Sequence, residues 1–237
     1  MAAGTLAGAG YFMGERLHPA RPSNPKGFYE SGEINQINEA LLAPLTAAHD
    51  PDLRQGQRWL AELQPGTAVR TPPKSAVKRI RNAVANRPFC FKDPRFCYTL
   101  PIWRGFLQDT VFLCVFRNPA SVARSIVKEC ADMPTLHNVH MTPSRAMKIW
   151  SAQYEWILSI HRHAGAWMFM EFDQFLDPAA VDRLSNFVEA RLDGNFPEPA
   201  LQRRAVDGEV GTRVGSIYRQ LQALSNACVD PACRDLK

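Results

Sequence analysis

Residues 111–125, VFLCVFRNPASVARS, give the clearest indication of the fold in this sequence. The six residues 111–116 are all apolar, which is typical of a strand covered on both faces in a parallel sheet. Asn118 suits a helix N-cap, and Pro119 suits the first helical position, where a missing N–H costs nothing. The stretch therefore predicts a buried strand that ends at Arg117 and turns at once into a helix.

Arg117 falls at the carboxyl edge of the predicted strand, beside the N-terminus of the predicted helix. Ligands of open α/β sheets bind at this edge, and a helix N-terminus favours anions. An arginine fork and a serine hydroxyl grip phosphate well, so Arg117 and Ser125 are candidate anion-binding residues; a solvated basic face is the alternative. Helical periodicity gives an apolar face of Val122, Ala123, Ile126 and Val127 and a polar face of Ser121, Arg124, Ser125 and Lys128.

Strand and helix patterns alternate along the rest of the chain. Strands are predicted at 89–92, 110–116 and 167–171, and helices at 1–13, 33–48, 72–86, 101–107, 143–163, 177–190 and 214–227. This alternation predicts an α/β fold with a mostly parallel sheet and helices on both sides. We expect a single domain over residues 1–237.

Composition narrows the class of ligand but names none. The chain has 237 residues, is 46% hydrophobic and 22% charged, and carries a net charge of +5, which favours anionic ligands. The basic stripe of Lys74, Lys78 and Arg81 has no interleaved aromatic residue, so we interpret it as a solvated face and expect no nucleic-acid partner. No apolar run is long enough to span a membrane, so none is expected to do so.

Cysteine and histidine spacing gives no metal-site pattern. The six cysteines contain no CxxC pair, and Cys90 and Cys114 fall in predicted strands, where a buried free thiol acts as a small apolar residue. We therefore expect a reducing cytoplasm as the location, although Cys228 and Cys233 could form a terminal disulfide. The six histidines are scattered in the sequence, so no metal is expected.

Three segments, taken together and in this order, resemble the sulfotransferases that use 3′-phosphoadenosine 5′-phosphosulfate (PAPS). NPKGFYE at 24–30 resembles a segment common in bacterial members, and FKDPRF at 91–96 is similar to the Lys-Asp-Pro strand end of the protein-tyrosine sulfotransferase branch. RNP at 117–119, with Ser125 eight residues after the arginine, resembles the family's 3′-phosphate-binding segment. The resemblance covers roughly residues 1–190.

The resemblance implies a P-loop-NTPase-like three-layer α/β/α fold and sulfuryl transfer from PAPS, as co-substrate, to a hydroxyl acceptor. It implies that Arg117 and Ser125 bind the 3′-phosphate and that Lys92 places its cation near the bridging oxygen. In the tyrosine-sulfotransferase branch a glutamate early in the chain acts as the base, so the resemblance makes Glu30 the candidate base, with Glu33 as a rival. Pro94 stands where the cytosolic sulfotransferases have their histidine.

The chain departs from the family pattern at its start. Sulfotransferases bind the 5′-phosphosulfate in a Lys/Arg-Ser-Gly-Thr-Ser/Thr loop before the first helix, whereas residues 1–10 resemble the helix that follows such a loop. Gly4 and Thr5 could instead be a degenerate remnant of it. We expect the first strand and this loop to be absent, through a misassigned start or a genuine fragment.

That departure keeps other functions open. A non-catalytic relative that binds nucleoside 3′,5′-bisphosphate is the main alternative to a transferase, and a basic nucleic-acid-binding protein is a weaker one. The acceptor stays open among carbohydrate, lipid, small alcohol and peptide tyrosine, and the sequence does not indicate an oligomeric state.

Overall fold

The structure is a computed structural model that describes residues 1–21, 24–67, 71–194, 196–198, 208 and 210–227. Within these residues it has eight α-helices and two β-strands. In chain order they are α1 (Ala2–Gly8), α2 (Gly32–His49), α3 (Lys74–Val84), α4 (Phe96–Arg104), β1 (Phe112–Phe116), α5 (Pro119–Asp132), α6 (Pro143–Trp156), β2 (Trp167–Glu171), α7 (Pro178–Val188) and α8 (Thr212–Asn226). A 3₁₀ segment, Pro134–Val139, precedes α6, and a π-helical turn, Ile157–His161, follows it.

The two strands form a parallel pair, as the sequence predicts. Phe112 lies opposite Trp167, and Phe116 lies opposite Glu171, so both strands end at the same edge. The chain crosses from β1 to β2 through α5 and α6. The fold is therefore mixed α/β with a small parallel sheet.

Helices cover both faces of this strand pair, which explains the unbroken apolar run in β1. Alternate strand residues face opposite sides of a sheet. On one side, Cys114 and Phe116 pack in a cluster with Trp150 of α6 and Leu221 of α8. On the other side, Leu113 and Val115 pack with residues of α7, β2 and the start of α1.

The strand predicted at 89–92 is wrong. These residues are extended, but they form only one parallel bridge, between Phe12 and Phe89. Its hydrogen bonds run from the Phe12 amide to the Pro88 carbonyl at 2.8 Å and from the Cys90 amide to the Phe12 carbonyl at 2.9 Å. A strand needs a ladder of such pairs, and the turn at residues 94–95 into α4 stops the extended segment before one forms.

Two helix boundaries also differ from the predictions. Helix α1 ends at Gly8 instead of residue 13, and α4 starts at Phe96, so that Pro101 lies inside it. A proline within a helix leaves the carbonyl four residues earlier without its usual N–H donor. Here that carbonyl belongs to Cys97, and it accepts a hydrogen bond from Nε2 of buried His161 at 2.8 Å. The side-chain donor satisfies the carbonyl, so the helix tolerates its proline.

We expect His161 to make stability depend on pH. Burial lowers the pKa of His161 below its usual 6.5, although the bond to Cys97 opposes the shift. The unfolded chain therefore binds the proton more readily, so the free energy of unfolding is unaffected above about pH 6.5 and falls below it, by at most about 1.4 kcal/mol per pH unit. Urea unfolding of His161→Gln should lack this contribution.

His163→Gln is the matched control, because His163 is exposed two residues further along. It should keep the pH dependence of the parent protein. Equal pH dependence in the two variants would show that His161 binds its proton equally well in the folded and unfolded states.

No helix in the described part of the chain is both long and apolar enough to cross a membrane. Cys228 and Cys233, the cysteines considered for a terminal disulfide, lie outside the described residues. The other four cysteines are free thiols, three of them buried.

Candidate functional site

Arg117 lies at the carboxyl edge of the sheet, where the sequence predicts it. It follows the last residue of β1, and its guanidinium carbon lies 5.1 Å from the ring centroid of Phe172, the residue after β2. Its half-buried side chain is therefore held between two strand ends in cation–π contact. A guanidinium carries five N–H donors in a planar fork, which is the chemistry that recognition of an anion at this edge would use.

The turn after Arg117 has the predicted cap. The Oδ1 of Asn118 accepts a hydrogen bond from the Ser121 amide at 3.1 Å, and Pro119 is the first helical residue. Ser125 is exposed two turns into α5, so its hydroxyl is accessible. Arg117 and Ser125 are thus held on one rigid strand–turn–helix unit.

One residue of the predicted polar face of α5 is buried instead of exposed. Ser121 is only 5% exposed, whereas Arg124, Ser125 and Lys128 are exposed as expected. Helical periodicity assumes one packing surface, but α5 packs on α6, and its Val122 also packs with Cys114 and Phe116 of β1. The second neighbour widens the buried face.

Helix α8 contacts the same edge of the sheet. The Tyr218 hydroxyl donates a hydrogen bond to the Glu171 carboxylate at the end of β2, and Gln222 Nε2 lies 3.5 Å from its second oxygen. Burial, and then the bond to Glu171, raise the pKa of Tyr218. These contacts tie the Glu171 carboxylate to α8.

The structure brings Lys92 and Glu30 together, although 62 residues separate them in sequence. Lys92 Nζ lies 2.6 Å from Glu30 Oε1, in an ion pair whose lysine side chain is 44% exposed and whose glutamate side chain is 16% exposed. A cation and a carboxylate therefore meet at the protein surface. This pair can supply both charge stabilisation and a proton acceptor.

Glu33, the rival to Glu30, lies elsewhere. Its Oε1 is 3.7 Å from Arg79 Nε of α3. Of the two carboxylates considered as a base, Glu30 is the one in contact with Lys92.

The backbone before Glu30 is strained. Tyr29 has a φ of 54°, in the left-handed region that residues other than glycine seldom adopt. Its ring packs edge-on against Phe196, with 5.8 Å between centroids. Such conformations persist where surrounding contacts impose them, and they cluster at functional sites.

A buried charge network anchors the segment that carries Lys92. Asp93 Oδ1 accepts from the Arg95 amide and from Arg95 Nη1, both at 2.9 Å, and Asp93 Oδ2 accepts from Asn38 at 2.9 Å. Arg95 Nε also lies 2.7 Å from Glu39 Oε1, and Arg58 Nη1 lies 2.7 Å from Glu39 Oε2. Burial raises the pKa of the Asp93 carboxyl, while the Arg95 guanidinium opposes that shift. The buried contacts of Asp93 and Arg95 therefore fix the backbone next to Lys92.

Sequence reasoning missed this network, yet α2 contained a signal for it. Asn38 and Glu39 are 0% and 4% exposed, and they stand among the apolar residues Ile34, Ile37 and Leu41. Polar residues beside the apolar stripe of a helix are buried only when partners satisfy them. Such positions could have marked the network before the structure was known.

His18 and Asn35 are further side chains near the Lys92–Glu30 pair that sequence reasoning missed. The His18 amide donates to the Glu30 carbonyl at 2.8 Å, which holds the two residues side by side. With its amide oriented to satisfy both ends, Asn35 Oδ1 accepts from His18 Nε2 at 3.1 Å, and Asn35 Nδ2 donates to Asp93 Oδ2 at 3.1 Å. No sequence pattern relates these residues, because a chain reversal in the N-terminal loop brings them together.

Lys26 is a further cation in the N-terminal part of the chain. Burial lowers the pKa of the Met1 amino group to about 6, and the charges of Lys92 and then Lys26 add to the shift. Both lysines therefore act on the start of α1. Lys26 Nζ also contacts the Phe196 carbonyl at 2.5 Å and the Glu198 carboxylate at 3.1 Å.

The loop between Lys26 and the start of the chain also reaches α5. Arg21 Nη1 lies 3.4 Å from Glu129 Oε1, one helical turn beyond Ser125. This contact places Arg21 near the C-terminal end of α5.

Among the described residues, no group of three His, Cys, Asp or Glu side chains could hold a metal ion. Comparison of the chain with protein-family models, curated proteins and solved structures found no match.

Proposed function

We propose that this protein is a PAPS-dependent sulfotransferase that transfers a sulfuryl group to a hydroxyl acceptor. The observation that carries the proposal is the 2.6 Å contact between Lys92 and Glu30. The two residues belong to separate sequence motifs, yet they lie together. The proposed chemistry needs a cation and a base at one place.

In the proposed reaction, Lys92 stabilises the charge that develops on the bridging oxygen, and Glu30 accepts the proton of the acceptor hydroxyl. Lys92 and Glu30 neutralise each other before the donor binds, so the ion pair must open when Lys92 turns to the donor. Its 44% exposure gives the lysine room for that movement. The fixed turn at Asp93 and Arg95 limits the movement to the lysine side chain.

Arg117 and Ser125 are proposed to hold the 3′-phosphate at the sheet edge. The cap at Asn118 and the contact with Phe172 support this role, because they fix the arginine before any ligand binds. The finer architecture that we propose is a P-loop-NTPase-like three-layer α/β/α domain. The parallel strand pair and the helices on both its faces support it.

Incubation with PAPS labelled in the sulfuryl group tests the reaction. We expect label to pass to a hydroxyl compound in a mixed set of phenols, alcohols and glycans. Binding of adenosine 3′,5′-bisphosphate without transfer to any acceptor would favour the second candidate function, a non-catalytic bisphosphate-binding relative.

Arg117→Ala should weaken binding of adenosine 3′,5′-bisphosphate by about 10- to 150-fold. One lost charge-assisted contact costs on the order of 1.5–3 kcal/mol. Isothermal calorimetry of the parent and the variant measures the loss. Arg183→Ala is the matched control, because Arg183 is an exposed arginine on α7. Equal affinity in the parent and Arg117→Ala would remove the phosphate-binding role.

A further inference from the structure

The positive charge of this chain is concentrated in one segment. The chain has 28 basic and 23 acidic residues, and residues 63–92 contain seven of the basic ones and none of the acidic ones. The rest of the chain is therefore slightly negative, although the net charge of the whole is +5. Such an asymmetry gives the basic segment a positive potential, which orients the protein towards an anionic surface.

Helix α3 lies within this segment, and its inner side packs on α2. Ala76 and Ile80 are buried in a cluster with Ile37 of α2. One cation of α3 is neutralised at this junction, because Arg79 Nε lies 3.7 Å from Glu33 Oε1. The packing fixes which side of α3 faces the solvent.

The outer side of α3 carries a row of three exposed cations, Lys74, Lys78 and Arg81. Spacings of four and three residues place them on one helix face, over about 10 Å of its length. No hydrogen bond or ion pair joins the side chain of Lys74 or Lys78 to another described residue. The Arg81 guanidinium carbon lies 5.6 Å from the ring centroid of Phe106. Within the described residues, these cations therefore keep their charge available to a partner.

A groove of about 330 Å³ is open on this face. It is lined by the three cations of the row, by the Asn82 amide and by the half-buried Val77. None of these lining residues carries a carboxylate, so an anionic group in the groove is attracted by every charge in the lining. The groove therefore suits the phosphate or carboxylate groups of a partner.

The face offers charge but little apolar surface. The large apolar residues that are exposed in the described part of the chain, Leu17, Val111 and Ile160, belong to other segments. A protein partner usually needs an apolar interface core, and single-stranded nucleic acid needs aromatic side chains for stacking. An anionic bilayer needs neither, because its headgroups attract Lys and Arg by charge and can move laterally to meet a row of cations.

We propose that the outer side of α3 is a docking surface for an anionic membrane, where Lys74, Lys78 and Arg81 contact the phosphate and carboxylate groups of phosphatidylserine. The groove and the lack of partners within the described residues distinguish this row from a solvated basic face. The protein lies on the bilayer without inserting apolar side chains, so the contact is reversible and weakens as salt is added.

Sedimentation of the full chain with lipid vesicles tests the docking. The protein should pellet with vesicles of phosphatidylcholine that contain about 30% phosphatidylserine, and it should stay in solution with phosphatidylcholine alone. Raising NaCl from about 0.1 M to about 1 M shortens the Debye length from about 10 Å to about 3 Å and should release the protein. Equal binding to both kinds of vesicle, or binding to neither, would overturn the proposal.

Lys74→Gln/Lys78→Gln/Arg81→Gln should weaken binding to the anionic vesicles about 100-fold, because each Lys or Arg near such a surface contributes a factor of about five. The double variant Lys74→Gln/Lys78→Gln keeps the contact between Arg81 and Phe106. It should lose about 25-fold, and it tests the row even if the triple variant does not fold. Parental binding by the double variant would contradict the docking surface.

Arg162→Gln/Arg183→Gln/Arg219→Gln is the matched control, since it removes three exposed arginines from other parts of the fold. It lowers the net charge by the same amount and should bind the anionic vesicles within about threefold of the parent. A loss as large as that of the α3 triple variant would show that net charge alone drives binding and would overturn the proposal.

A DNA duplex and polyglutamate, added separately at equal charge, distinguish the membrane from other anionic partners. Neither should release the protein from the anionic vesicles. Release by the duplex through the same three residues would assign the surface to nucleic acid, and release by polyglutamate would assign it to an acidic protein; either result would overturn the membrane. No arm uses PAPS, so the outcome is independent of sulfuryl transfer.

Discussion

Lys92→Met is expected to lower kcat for sulfuryl transfer by about 100- to 1,000-fold, equivalent to about 2.7–4 kcal/mol of transition-state stabilisation. Methionine keeps an unbranched side chain of similar length but has no charge. Glu30 would lose its partner at 2.6 Å, yet the lysine is 44% exposed, so the fold should tolerate the change. Rates measured at saturating PAPS isolate kcat from donor binding.

The affinity for adenosine 3′,5′-bisphosphate should change much less than kcat, because this product lacks the sulfuryl group near which Lys92 acts. Lys78→Met is the matched control, since Lys78 is an exposed lysine on α3 with no proposed role in donor binding or sulfuryl transfer. A Lys92→Met enzyme with the parental kcat would contradict the role of Lys92. An equal loss in kcat and in bisphosphate affinity would reassign Lys92 to nucleotide binding.

Glu39→Ala is expected to reduce the free energy of unfolding by about 3–5 kcal/mol, because it breaks a buried ion pair by removing one partner. The Glu39 side chain is only 5% exposed and contacts both Arg95 Nε and Arg58 Nη1 at 2.7 Å. It also accepts from the Gly56 and Arg58 amides at 2.9 and 3.1 Å. Its loss leaves the 4% exposed Arg95 with less compensation for its charge. Urea unfolding followed by circular dichroism measures the change.

Glu33→Ala on the same helix is the control. Glu33 makes a partly exposed ion pair with Arg79, so its removal should cost about 0–1 kcal/mol. Glu39→Gln keeps the side-chain size and some hydrogen bonds, and it should fall between the two. Should Glu39→Ala fail to fold, Glu39→Gln still tests the network, and a loss equal to that of Glu33→Ala would contradict it.

Local signals in the sequence were sufficient for the β1–α5 unit. The apolar run, the Asn118 cap and Pro119 are all encoded within a few residues, and the structure has each of them where it was predicted. The extended segment at Phe89 shows the limit of such signals. Its apolar residues match a strand, but a strand also needs a partner over several residues, and Phe12 supplies only one pair.

The candidate site was less accessible from sequence, because its contacts join distant segments. The motifs selected Lys92 and Glu30 but did not specify their 2.6 Å contact. His18 and Asn35 belong to no motif at all, since a backbone pairing between the loops at residues 17 and 31 sets their positions. Non-local pairing of this kind leaves no periodicity in the sequence.

A crystal structure of the protein with adenosine 3′,5′-bisphosphate would test the central claim most directly. The claim predicts the 3′-phosphate within hydrogen-bonding distance of both the Arg117 guanidinium and the Ser125 hydroxyl, with the 5′-phosphate directed towards Lys92. A nucleotide bound elsewhere, or held by Arg117 with its 5′-phosphate directed away from Lys92, would contradict it.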